Sequence, residues 1–494
     1  MFVEFGEYLP DQPTITNSMV VANNVLPNAK GYKPFPSATQ VSDAVDARAR
    51  GAFAAKADDG AVYSYVGTGT KLHELDNMTH SDITNVGGDY TLASEHSWKF
   101  AKFGNRVIAV APTENPQSIS LGGANFADLA GSPPKAKNIA IINNFLVLGN
   151  LENDPNKVRW SAINNPESWT IDADTQADEQ ELISDSTYGG GAVRGITSGD
   201  IAGNIFQEFT IWRMQYVGSP LIFDIKEILP NYGLGYENSL TQEGRLVHFI
   251  GNDGFYQLID GTQIRPIGEN KVNAYFLNRV QETSRHRVVG ASDPLSQKVF
   301  WIYPSTASVD GTPDSIIVYD WANDKWSTAQ DSLDWIYAAP REGYNLDDLD
   351  SFAANLDALT PNLDADTWKS RGVALSAYDE TFKKVIFTGS SLPATLTTGE
   401  VQLYENSRAH VKSVTPLVDM PSYDGTTNRV RVAVSTRDIQ QESKIFSTAQ
   451  DIHTRTGKAN FREDGRYHSM SVTTEGEWST ALGVNVETVK SGVQ

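Results

Sequence analysis

The strongest constraint in this sequence is a spacing. Short apolar runs rich in β-branched and aromatic residues return through most of the chain, separated by Gly, Asn and Asp. They include AVYSYVG (61–67), NRVIAVA (105–111), KNIAIINNFLVLGN (137–150), NIFQEFTIWRMQYVG (204–218) and GRLVHFIGNDGFYQLIDG (244–261). QKVFWIYPS (297–305), DSIIVYDW (314–321) and KKVIFTG (383–389) continue the series. Their length and residue types suit strands. Asn252-Asp253-Gly254 and Asp260-Gly261 supply reversals where positive φ is tolerated. The pattern predicts a meander of antiparallel hairpins, not βαβ units. Hairpin groups begin near residues 50, 100, 140, 195, 240, 290 and 370, with one longer interval around 345–370. That approximates the 40–50-residue period of a β-propeller blade. A β-sandwich or irregular barrel whose hairpins share a length is the alternative.

Tryptophans near turns support the propeller reading. Trp160 and Trp169 flank a loop, as do Trp321 and Trp326 in VYDWANDKWS (318–327). An inner strand followed by Tyr-Asp, a turn and Trp lets an indole seal the space between neighbouring blades. The expected organisation is an all-β chain in three parts. Residues 1–30, with Pro10, Pro13 and Pro27, form an extended arm that packs on a neighbouring domain or subunit. Residues 31–392 form the propeller. Residues 398–494, alternating at period two, form a β-sandwich-like domain after a Ser/Thr/Pro-rich linker, SSLPATLTTGE (390–400). An acidic insertion near 343–369 interrupts the propeller. It carries Asn-Leu-Asp triplets at Asn345, Asn355 and Asn362, six Asp, and a short predicted helix over Asp348–Leu359.

Composition narrows function mainly by exclusion. The 494 residues carry 40 Lys and Arg against 61 Asp and Glu, a formal net charge of −21. An open basic face for duplex nucleic acid is therefore not expected, because such a face must neutralise phosphates. An acidic wall remains compatible with DNA that slides past without being held. There is no cysteine, which removes disulfides, thiolate metal sites and a cysteine nucleophile. Met1 to Pro10 contains Glu4 and Glu7 and reads as no signal peptide. No run approaches the roughly 18 apolar residues of a spanning helix, so stable membrane insertion is not expected.

Catalytic patterns are weak. The chain has no G-x-S-x-G elbow, H-E-x-x-H helix, Walker A loop or dinucleotide fingerprint. Gly189–Gly191 lacks the Lys-Ser/Thr that would cradle phosphate and reads as a turn. His73, His80, His96, His248, His286, His410, His453 and His468 form no short-spaced ligand pair. Asp172, Asp174, Asp178, Glu179 and Glu181 form the densest acidic cluster, a partial match to a Ca²⁺ loop without its central Gly. A solvated loop is its plainer reading. Trp212 and Trp301 are isolated and read as core. The basic patches are Arg285, His286 and Arg287, and Arg429, Arg431 and Arg437; either could meet an acidic partner. No catalytic residue, cofactor or metal is assigned, and the chain is expected not to be an enzyme.

Several segments together resemble the tail nozzle or hub (packaged-DNA-stabilisation) proteins of short-tailed bacteriophages. They are VANNVLPNAKGYKPFPS (21–37), NRVIAVAPTENPQ (105–117), NFLVLGNLENDPNKVRWSAINNPESW (144–169) and GDIAGNIFQEFTIWRMQYVG (199–218). NSLTQEGRLVHFIGNDGFYQLIDGTQIRPIG (238–268), SIIVYDWANDKWS (315–327) and REDGRYHSMSVTTEGEWSTALGVNVETVKSG (462–492) complete the set. The resemblance implies a virion tail protein made in the host cytoplasm, a homohexameric ring beneath a portal and adaptor. Such a ring extends the DNA channel, retains packaged DNA and docks fibres or spikes. It further implies that Gly104 and Gly149 lie at turns, and that Trp160, Trp169 and the Tyr319-Asp320-Trp326 group are folding residues. The alternatives are a propeller-type glycan-processing enzyme, which needs two facing carboxylates and aromatic platforms, and a receptor-binding adhesin.

Overall fold

A computed structural model of the chain describes residues 1–492 apart from 16–17, 173, 341–372 and 406. The regular secondary structure of the described residues is almost entirely strand, with one five-residue α-helix, Asn273–Leu277, and two 3₁₀ turns. Seven four-stranded antiparallel meanders follow one another, six of them separate sheets and one the end of a larger sheet. Their first strands are Ala52–Lys56, Lys99–Phe103, Ala136–Ile142, Val193–Ile196, Thr241–Glu243, Val289–Asp293 and Leu333–Pro340.

Local sequence explains the hairpins. Asn143 and Asn144 (φ 46° and 62°) join Ala136–Ile142 to Phe145–Leu151, and Asp260 and Gly261 (φ 52° and 67°) join Phe255–Ile259 to Gln263–Pro266. Two successive left-handed residues match the twist of a tight hairpin. Six meanders start within a few residues of the predicted positions. The seventh starts at Leu333, not near 370. Leu333–Pro340 is buried along most of its length, so it shows no alternation, and residues 341–372 separate it from its partner Val373–Asp379.

The seventh meander takes its fourth strand from the other end of the chain. Pro36–Ala44 pairs antiparallel with Lys383–Ser391, immediately before the first meander begins. First strands pack side by side. Ala52–Lys56 touches both Leu333–Pro340 and Lys99–Phe103, Lys99–Phe103 touches Ala136–Ile142, and Ala136–Ile142 touches Val193–Ile196. Thr241–Glu243 touches Val289–Asp293, which touches Leu333–Pro340. The fourth and fifth meanders meet through Phe206 and Ile211 against Val247, Phe249 and Leu258.

Side chains between meanders follow from this close approach. Gly104 lies at a hairpin turn with φ +57°. Gly149 does not: it is inside the strand Phe145–Leu151. A Cβ there would lie 2.7 Å from Ile196 Cδ1 and 3.0 Å from Val193 Cγ1, so its role is to let the fourth meander pack on the third. Indoles fill similar gaps. Trp160 meets Phe223 edge-on at 5.2 Å, and Phe255 lies 5.0 Å from Trp301 and 4.9 Å from Trp326. The N–H of Trp301 donates to the Ser239 carbonyl (2.9 Å) and that of Trp326 to the Ile267 carbonyl (3.2 Å), each bridging from the sixth meander to residues flanking the fifth.

The remaining strands form two sheets over a shared core. One contains Arg408–Asp419, Ala459–Gly465 and Thr480–Gly492, joined by Phe2–Glu4, Val25–Pro27 and Tyr32–Pro34. The other contains Ala394–Thr398, Arg429–Arg437, Gln450–Asp451 and Tyr467–Glu475, joined by Met19–Asn23. A parallel pairing of Asn23 with Thr328 continues this second sheet into the sixth meander, giving nine strands. Alternate residues face the common core: Val411 and Val484 from one sheet, Val430, Val432, Val434 and Val472 from the other. Within the residues expected as an arm, Phe2–Glu4, Met19–Asn23 and Val25–Pro27 are therefore strands of this body. The expected linker 390–400 also contains a strand, Ala394–Thr398. Threonine is β-branched as well as polar, and its hydroxyls are satisfied across the pairing. Thr397 bonds the Ser471 hydroxyl (2.9 Å), and Thr398 Oγ1 accepts the Met470 N–H (3.0 Å). The predicted acidic insertion 343–369, with its helix, lies outside the described residues.

Candidate functional site

The most chemically loaded region is where the seven first strands begin. Each meander places a polar residue within three residues of that point: Arg50, Lys99, Lys137, Arg194, Asn238, Arg287 and Asp334. Hydrogen bonds tie most of these to one another or to neighbouring loops. The Asn238 side-chain oxygen accepts from Lys99 Nζ (2.6 Å) and Ser97 Oγ (3.2 Å), while its amide donates to the His286 carbonyl (2.8 Å). Lys137 pairs with Glu237 and Arg194 with Glu208, both at 2.7 Å. Arg194 also donates to the Leu234 and Gly235 carbonyls, and Arg285 to Gly235. Arg287 pairs with Asp334 at 2.7 Å; both are buried.

Burial dominates the electrostatics. It brings the Lys99 ammonium down to about 8 and the Arg48 guanidinium to about 10, Arg48 being further lowered by Arg287 and Arg50. The Asp334 carboxyl is pushed up to about 6 by burial, against the pull of Arg287 and Arg48. Asp334 opens onto a cleft of about 580 Å³ that also holds Asp310, Asp314 and Glu380. Asp310 accepts the Thr312 N–H (3.0 Å) and hydroxyl (2.8 Å), and Asp314 the Ser305 N–H (2.8 Å) and hydroxyl (2.7 Å). These carboxylates shape their own turns, and Phe382 is the one aromatic among the described residues lining the cleft.

Of the sequence-predicted basic residues, Arg285, His286 and Arg287 belong to this cluster. Arg429, Arg431 and Arg437 do not. Arg429 and Arg431 share Glu475 across the strand pair at 2.7 and 2.5 Å, and Arg437 pairs with Glu400. Each of the three is thus engaged by a carboxylate of this chain, two of them by the same one. The acidic loop is likewise self-contained. Asp172 Oδ1 accepts the N–H groups of Asp174 and Thr175 (both 2.8 Å), and Glu179 pairs with Lys157 (3.1 Å). Among the described residues no three His, Asp or Glu side chains converge as a metal site. Trp212 and Trp301 are buried. Sequence reading missed Arg48, Arg50, Lys99, Lys137 and Arg194, which are single cations scattered over 147 positions; only the shared strand-start position could have grouped them.

Four of the histidines, His73, His80, His248 and His468, are bonded within the fold. His73 contacts Asp46 (2.8 Å), and His80 contacts Asp43 (2.8 Å) and the Tyr378 hydroxyl (3.0 Å). His248 is fully buried, bonded to Gln257 (2.9 Å) and stacked on Trp321 at 5.4 Å. Burial lowers His248 to about 3 and His468 to about 4. Both stay neutral in the fold, whereas the unfolded chain protonates near 6.5. Their contribution is thus complete above pH 6.5 and is lost as pH falls towards 4. Denaturant unfolding from pH 7 to 4.5 should show stability falling by about 1.4 kcal/mol per pH unit for each histidine. His248→Gln should remove one share of that slope, and a slope unchanged by the substitution would contradict the assignment.

No protein-family model matches the chain, and no curated protein matches it. Among solved structures, the Pan2 WD40 domain of Neurospora crassa is similar at a TM-score of 0.40 and 8% identity, over 72% of this chain and 96% of that one. The CNH domain of AfRom2 is similar at 0.38 and 8% identity, over 71% and 98%. At these scores neither likeness bears on what the chain does or on how its sheets close.

Proposed function

We propose that the seven meanders are the blades of a closed β-propeller, with Pro36–Ala44 completing the last blade. On this reading the propeller and the two-sheet body built largely from residues 398–494 form a structural nozzle or hub subunit of a short-tailed phage tail. The subunit assembles as a homohexameric ring that extends the DNA channel, retains packaged DNA, and holds an adaptor on one side and fibres or spikes on the other. The observation that carries the structural half of this reading is the tying of both chain ends. Pro36–Ala44 pairs with Lys383–Ser391, and Phe2–Glu4 pairs with Thr480–Gly492. A platform locked in this way suits a part that transmits load instead of opening around a substrate. The sequence resemblance supplies the phage context.

The charge pattern favours this reading over a glycan-processing one. The carboxylates beside Asp334 build turns, and those at the strand starts pair with cations. A net charge of −21 suits a wall past which DNA slides. Fluorescence anisotropy with a labelled 20-base-pair duplex should give a dissociation constant no tighter than about 10 µM at about 150 mM salt, within the non-specific range. Nanomolar, salt-resistant binding would contradict a sliding wall.

A further inference from the structure

We propose that the small cavity between the starts of the first, second, sixth and seventh meanders binds one compact anion, a halide or a single carboxylate group. Arg48, Arg50, His96, His286, Arg287 and Asp334 contribute to its lining. Its free volume of about 10 Å³ admits a single atom, a halide or one oxygen of a carboxylate whose remainder lies outside.

The lining is a built arrangement of donors. Arg48 and Arg50 are positioned by backbone carbonyls: Arg48 donates to Ser94 (2.9 Å), and Arg50 to Leu92 (2.9 Å) and Ala93 (2.7 Å). Arg287 is fixed by Asp334 and by the Thr312 hydroxyl (3.2 Å). Three ring or guanidinium nitrogens remain buried with no hydrogen-bond partner among the described residues: Arg50 Nε, Arg287 Nε and His96 Nδ1. Arg287 is itself only 9% exposed.

The charge count is lopsided. Three guanidinium groups, with Arg287 near enough to lower both Arg48 and Arg50, face one buried carboxylate, Asp334. Glu95, exposed and bonded to the Ser94 hydroxyl (3.1 Å), also lines the cavity and acts on Arg50, so the count is three guanidinium groups against two carboxylates. Excess positive charge on the half-buried Arg48 and Arg50 and unsatisfied donors each cost stability, and a bound anion relieves both. The neighbouring cleft carries Asp310, Asp314 and Glu380, which repel an extended polyanion, so the occupant is a single small group. Asp334, a carboxylate in the same lining, opposes a second negative charge there.

The test uses the full chain. Thermal unfolding is followed at constant ionic strength while sodium gluconate is replaced by sodium bromide, and in a second arm by sodium formate. A saturable rise in melting temperature with either anion is expected. Crystals soaked in bromide should show an anomalous peak within hydrogen-bonding reach of Arg50 and Arg287. Arg50→Met should weaken the bromide effect at least tenfold. Should that variant fail to fold, Arg48→Gln provides the same comparison with its circular dichroism checked first. No anion-dependent shift in either arm, or a cavity holding only water in the soaked crystal, would overturn the proposal.

Discussion

A chain lacking residues 1–27 should not reach the native state. These residues supply Val3, Phe5, Tyr8, Met19, Ala22 and Val25 to the largest core cluster, all at most 8% exposed. Burying one large apolar side chain contributes about 1.5–3 kcal/mol, so losing five of them forfeits about 10 kcal/mol. That equals the whole stability of a typical domain. The loss extends to the backbone. Phe5 N–H bonds the Leu482 carbonyl (2.9 Å), and Val486 N–H bonds that of Met1 (2.8 Å). The Asp11 carboxylate accepts the N–H groups of Ala274 and Tyr275 (2.8 and 2.7 Å) at the start of the helix Asn273–Leu277. Near-ultraviolet circular dichroism of the truncated chain should lose its aromatic signal, with expression moving to the insoluble fraction. A truncated chain that keeps its signal and melting temperature would show the segment to be an accessory arm.

Trp326→Ala should be the most damaging single substitution among the indoles. Trp326 is fully buried, 4.6 Å from Tyr319, 4.9 Å from Phe255 and 6.1 Å from Trp301. Removing a large aromatic side chain from a packed core costs about 3–5 kcal/mol, because the surroundings collapse only partly into the cavity. The donor to the Ile267 carbonyl disappears as well, so the joint between fifth and sixth meanders loosens. Trp326→Phe keeps most of the volume and should cost about half as much, the remainder being a smaller void and an unmade hydrogen bond. Urea unfolding monitored by circular dichroism distinguishes the two; equal destabilisation would place the loss in the hydrogen bond alone.

The parts of the fold that were legible from sequence share a local cause. Hairpins such as 244–261 announce themselves because turn chemistry and strand propensity lie within a few residues of each other. The parts that were illegible depend on partners far away in the chain. Nothing local in Pro36–Ala44 points to Lys383–Ser391, and Leu333–Pro340 is buried too continuously to alternate. Ala394–Thr398 looked like a linker because its hydroxyls are satisfied only by the distant strand Tyr467–Glu475. The same holds at the candidate site. Arg285, His286 and Arg287 stood out as neighbours in sequence. Arg48, Arg50 and Lys99 reach them only because each precedes or opens the first strand of its own meander.

We propose that this chain is the subunit of a six-fold ring. Electron microscopy of the purified full chain, at the highest concentration that stays monodisperse, tests it most directly. Class averages of a hexameric ring with an axial opening are expected. Class averages of monomers or trimers at that concentration would contradict it.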